Sequence, residues 1–163
     1  MVSSQMVIYE EEHEQLTHIC ERLVRDALAK AIFIVDKDGQ LVTSTGETTG
    51  IDTTGLASLI AGATAATGSL AQMLGEEEFP VHFHEGTNKH LHVSVIGETL
   101  ILVVIFDERS SLGLVRLRVK RAHDEMQDII AAVATKAEGG DGEMDLFGEI
   151  TDDDIDSLFN DAF

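Results

Sequence analysis

The chain has 163 residues, one cysteine, one proline, no tryptophan and a formal net charge of −19. That length suits one domain with a substantial core and room for a tail. The charge argues against nucleic acid and against anionic membrane surfaces as partners. A lone Cys20 cannot close an internal disulfide, which fits a reducing cytoplasm.

The N-terminus, MVSSQMVIYEEE, has no basic region followed by an apolar run, so no secretion signal is expected. The longest unbroken apolar run, residues 100–106, is too short to span a bilayer. The expectation is a cytoplasmic protein without membrane insertion.

Residues 9–29 read as a first helix. Leu16, Ile19, Cys20, Leu23, Val24 and Ala27 share one face, while Glu10, Glu11, Glu14, Glu21 and Arg25 fall elsewhere. Cys20 sits on the apolar stripe and reads as a small buried hydrophobe rather than a nucleophile. Residues 31–35 form an apolar strand, Asp38-Gly39 a hairpin turn, and residues 40–45 the return strand. Asp36, Asp38 and Glu47 imitate parts of a calcium loop, but the sixth position, which needs glycine, is Leu41.

Residues 52–75 read as a second helix, with Asp52 as its N-cap and Gly75 as its stop. Leu56, Leu59, Ile60, Leu70, Met73 and Leu74, with Ala63 and Thr67 between, are expected to face the core. Gly55, Ser58, Gly62, Ala65 and Ser69 give a flat face of small residues, and no charge occurs between Asp52 and Glu76. That face reads as a contact surface. The plainer alternative is a helix buried within its own domain.

Residues 79–85, 89–96 and 99–106 read as strands three to five. Pro80 marks strand three as a strand start or a sheet edge. The fifth strand is apolar on both faces, which implies a central strand with helices covering both sides. Residues 111–136 form a third helix through Leu112, Val115, Val119, Ala122, Met126, Ile129 and Val133, capped by Ser110 or Ser111. From Glu138 the composition turns to a Gly-rich acidic linker and a tail. Residues 138–163 hold ten acids and no base. The expected division is a domain over 1–137 and an acidic flexible tail over 138–163, whose Ile155, Leu158, Phe159 and Ala162 read as a short docking segment, with a purely solubilising tail as the alternative.

Two constellations offer chemistry. If strands three and four close through a five-residue loop, His84 faces His90 and His82 faces His92, and the four imidazoles share one face within reach of a transition metal. The plainer reading, a polar strand face near an edge, is preferred, and no metal or other cofactor is assigned. Arg109, after strand five, could be an arginine finger offered to a nucleotide hydrolase, or a plain surface charge. No phosphate-binding loop, GxSxG elbow, HExxH or CxxC occurs, and no catalytic residue is assigned.

The order helix, two strands, small-residue helix, three strands, helix resembles the roadblock (dynein light chain) family. So do YEEE, FIVDKDGQL, IDTTGLASLIAG, FHEG, VVIFDERSSLGLVRLRVKRA and EITDDDIDSLF. The resemblance implies a three-layer α/β (α+β) fold: a five-stranded antiparallel sheet with helix two on one face and helices one and three on the other. It implies a homodimer joined through strand three and helix two. It further implies a non-enzymatic activator of a small Ras-like GTPase of the MglA type, in bacterial polarity and motility, recruited to a cell pole, with other polarity proteins as further partners. The GTPase would supply its own arginine, which counts against Arg109 as a finger. By position, Ser58, Gly62, Ala65, Ala66 and Ser69 would form the dimer and GTPase platform, and Ile155, Leu158 and Phe159 an auxiliary contact. The alternatives are a scaffold that binds without stimulating hydrolysis, and a metal- or pH-responsive module centred on the histidines.

Overall fold

The computed structural model describes residues 7–148, with side chains over 7–138. The tail segment holding Ile155, Leu158, Phe159 and Ala162 therefore lies outside the described residues. The chain divides into two units, 1–130 and 131–163.

Helix α1 (Glu10–Asp26) starts with three glutamates in its first turn and ends near Arg25, each charge matched to the helix dipole. It stops a few residues before the expected end because Leu28 takes φ +52. Strands β1 (Ala31–Asp36) and β2 (Leu41–Gly46) follow. Their turn is fixed by Gly39 at φ +92 and by Asp36 Oδ1, which accepts the Gln40 N–H at 2.8 Å. The next elements are α2 (Thr53–Met73), β3 (Val81–Glu85), β4 (His90–Ile96), β5 (Leu100–Phe106) and α3 (Leu112–Gly148). The backbone of α3 thus continues into the stretch expected to be a linker. The chain's one proline is Pro80, so no residue between 138 and 148 is barred from a helix; glycine there lowers helix stability without forbidding it.

The five strands form one antiparallel sheet in the order β2-β1-β5-β4-β3. Strand β5 is central and buried along its whole length. Its side chains alternate between two cores. Leu100, Leu102, Val104 and Phe106 join Leu16, Ile19, Cys20 and Leu23 of α1 and Val115, Val119, Ala122 and Met126 of α3. Ile101, Val103 and Ile105 join Phe33, Val35, Val93 and the Ala57 and Ile60 of α2. The result is the expected three-layer arrangement, with α2 on one face and α1 and α3 on the other.

Candidate protein-interaction surface

Helix α2 is set by its ends. The Asp52 carboxylate accepts the Gly55 N–H at 3.0 Å, and a Cβ on Gly55 would fall 2.5 Å from Asp52 Oδ2. A side chain at 55 would therefore make the Asp52 carboxylate shift. At the other end Gly75 takes φ +79 and the Glu76 N–H reaches Ala71 O at 2.9 Å.

The buried face of α2 is made of Ala57, Ile60, Ala61 and Ala71. This corrects the expected core stripe. Leu59, Leu70, Met73 and Leu74 are exposed, by 75%, 55%, 82% and 71%. The sheet presents bulky Phe33 and Val103 beneath the helix, so alanines fit against it and the larger residues turn outward. The expected platform residues Ser58, Gly62, Ala65, Ala66 and Ser69 are all exposed. Large apolar and small residues thus lie together on the outer side of one uncharged helix.

Two further details make that surface unlike a solvated one. Ser69 Oγ donates back to Ala65 O at 3.3 Å, so this hydroxyl has a partner within its own helix. A Cβ on Gly62 or Gly68 would meet nothing within 4 Å. Packing within the chain therefore does not call for these glycines, although each costs a helix on the order of 1 kcal/mol against alanine. Ala65 and Gly68 also border a cavity of about 160 Å³ shared with Lys37, Thr64, Glu78 and Phe79. By length and composition α2 is apolar enough to cross a membrane. The longest unbroken apolar run overlooked it because glycine, serine and threonine interrupt the run without adding charge.

At the sheet edge, the register differs by one residue from the expected pairing. Glu85 pairs with His90, His84 with Leu91, Phe83 with His92 and His82 with Val93. The loop has four residues rather than five, and a one-residue slip moves side chains to the opposite face. His82 and His84 lie on the α2 side, 3.0 Å apart between Nδ1 and Nε2. His90 and His92 lie on the other side, where the His90 ring is 5.1 Å from Phe106 and 6.0 Å from Phe83. The four-histidine cluster is not formed, and among the described residues no three His, Cys, Asp or Glu side chains gather in a metal-holding group. His92 is buried, and its imidazole is held down to about 4, by burial first and then by the charges of Arg116 and His82. Burial and then the charge of His84 also lower His82.

Arg109 is exposed and engaged with its own chain. It donates to both oxygens of Asp107 and to Glu47 Oε1 at 3.4 Å. Cys20 is fully buried, and burial, with Glu21 adding to it, pushes its thiol up to about 12. That places it far from nucleophile chemistry.

The sequence reading also missed a cleft of about 410 Å³ beside the start of α2, floored by Ile51, Leu56, Leu91 and Ile105 with Lys30 and Lys89 at its rim.

Comparison with curated proteins finds no match. Among solved structures, Myxococcus xanthus MglB is 54% identical with a TM-score of 0.75, covering 78% of this chain and 96% of that one. The gliding protein mglB of Thermus thermophilus is 32% identical with a TM-score of 0.72, over 78% and 97% of the two chains. A structure described as MglB with tetrameric arrangement is 30% identical with a TM-score of 0.75, over 81% and 99%. The family model for the Roadblock/LC7 domain matches residues 16–106, which takes in α1 from Leu16 and every strand, and on these findings the chain belongs to the Roadblock/LC7 family.

Proposed function

We propose that this protein is a homodimeric regulator of a small Ras-like GTPase of the MglA type and stimulates GTP hydrolysis by that partner. The observation that carries the reading is the outer face of α2: exposed, uncharged, and bearing glycines that its own fold does not use. Such a surface suits close approach of another backbone. The likeness to proteins named MglB and gliding protein points the same way. The platform is Ser58, Gly62, Ala65, Ala66 and Ser69, with Leu59, Leu70 and Met73 around it. Strand β3 ends the sheet and offers its edge to a second copy, which would cover it. The acidic tail from residue 138, through Ile155, Leu158 and Phe159, adds a second docking element.

The mechanism is differential binding. The α2 face holds the switch loops of the GTPase in their hydrolysis-competent arrangement and binds other arrangements less well. A tenfold stimulation needs only about 1.4 kcal/mol of that preference. The protein brings no nucleotide site of its own, and the work is done in the cytoplasm, with recruitment to a cell pole.

The test is GTP turnover by an MglA-type GTPase with and without this protein, with Ala65→Arg as the control. Stimulation lost in Ala65→Arg, with helix content and dimer mass retained, supports an activator working through α2. Binding without stimulation replaces it with the scaffold reading. Absence of binding overturns both.

A further inference from the structure

The sheet edge at β3 carries a pair of side chains that the proposed GTPase platform does not use. His82 and His84 alternate with Phe83 and so project from the same face of the strand. Their rings stand edge to face at 71° with centroids 5.2 Å apart, and Nδ1 of His82 lies 3.0 Å from Nε2 of His84. One of these nitrogens donates a proton to the other.

That spacing is close to the bite of a metal ion. Two Zn–N bonds of about 2.0–2.1 Å set the nitrogens about 3.3 Å apart at a tetrahedral angle and about 2.9 Å apart at a right angle. The observed pair falls between the two, so a small ring rotation suffices for either geometry. Binding needs a lone pair on both nitrogens, so the shared proton must leave. On His82 the remaining nitrogen, Nε2, is buried with no hydrogen-bond partner. The tautomer that carries the His82 proton on Nε2 leaves Nδ1 free as a ligand, and the metal–nitrogen bonds replace the hydrogen bond between the two rings.

We propose that His82 and His84 chelate a divalent transition-metal ion on the edge of the sheet, and that a second copy shares the same ion when its β3 pairs alongside. This sharing rests on the homodimer proposed above. One chain offers two imidazoles, since His90 and His92 are on the opposite face. A four-coordinate ion needs two more ligands. Strand pairing about a two-fold axis perpendicular to the sheet keeps the two α2 faces on the same side. It therefore sets even-numbered residues of β3 against even-numbered residues. Centred on Phe83, it places His82 opposite the partner's His84 and His84 opposite the partner's His82. Residues directly opposite in antiparallel strands have Cα atoms about 4.5–5.5 Å apart, within reach of imidazoles converging on one ion. Imidazole nitrogen suits zinc, nickel and copper and not calcium or magnesium.

The experiment titrates the full chain with Zn²⁺ by calorimetry and with Co²⁺ by visible absorption, alongside mass by light scattering with and without metal. The expected result is one ion per two chains and the intense visible band of tetrahedral Co²⁺. Both are lost in His84→Ala and His82→Ala and kept in His90→Ala, with the dimer present in metal-free buffer throughout. An intact dimer that takes up no metal overturns the proposal and leaves the dimer standing. One ion per chain overturns the sharing. A metal-free monomer at every concentration overturns the homodimer itself, so the two readings fail separately. His84 is exposed, so His84→Ala keeps the test readable if His82→Ala disturbs the fold.

Discussion

Arg109 closes on Asp107 through two parallel bonds, Nε to Oδ1 at 3.0 Å and Nη2 to Oδ2 at 3.1 Å. The Asp107 carboxyl is held below its ordinary value, first by the side-chain hydrogen bond from Arg109. A guanidinium used in trans must leave such a partner at the moment of catalysis. Here a forked grip and a second carboxylate, Glu47, keep it on its own chain. Arg109→Ala is expected to leave stimulation of the GTPase within about twofold, since no transition-state contact is lost. Single-turnover GTP hydrolysis measures this, and a loss of about a thousandfold, the scale of an arginine finger, would reinstate the finger.

The two sides of α2 predict opposite outcomes for similar truncations. Ile60 is 5% exposed and Met73 is 82% exposed. Ile60→Ala opens a cavity in the α2-side core and should cost about 2–5 kcal/mol. Met73→Ala should stay within about 0.5 kcal/mol in stability yet weaken partner binding. Urea denaturation and a binding titration on the same two variants separate these effects.

Asp52 is the only side chain that caps α2 by a direct hydrogen bond to its first turn among the described residues. Asp52→Ala removes it at a cost of about 1 kcal/mol, and Asp52→Asn or Asp52→Ser should recover most of the loss. Chemical denaturation of the three variants tests the cap and distinguishes it from a general effect of charge.

The buried His92 makes stability depend on pH. The unfolded chain takes up this proton near 6.5, whereas the folded chain does so only near 4. Between those values the unfolded state binds more protons, so stability falls as pH falls. The full effect is on the order of 3 kcal/mol, present above pH 6.5 and lost by about pH 4. His92→Leu should flatten the profile across this window, as read from urea midpoints at a series of pH values.

Much of the fold is legible in the residues. Asp38-Gly39, Asp52, Gly75 and the unbroken apolar strand β5 each announce a local structure through a specific backbone or burial requirement. Spacing alone put Gly55, Ser58, Gly62, Ala65 and Ser69 on one face of small residues, while Ala66 joined the proposed platform only through the family resemblance. The orientation of α2 and the faces of the histidines were not legible, for identifiable reasons. Periodicity shows that α2 has sides without showing which one meets the sheet. A scale that ranks leucine above alanine sends Leu59 and Leu70 inward, while the bulk of Phe33 and Val103 admits the alanines instead. The histidine faces depended on a loop one residue shorter than expected, and nothing in Gly86, Thr87, Asn88 or Lys89 fixes that length by composition.

Strand β5 belongs to both cores at once. Phe106 and Val104 look toward α1 and α3, while Ile105 and Val103 look toward α2. Neither layer can come away without exposing a strand on which the other depends. A cavity cut beneath α2 therefore loosens the same backbone that α1 and α3 grip from the far side. The sheet with its two coats of helix should melt in a single cooperative step, and the outer surface of α2 inherits its rigidity from residues on the opposite side of the molecule.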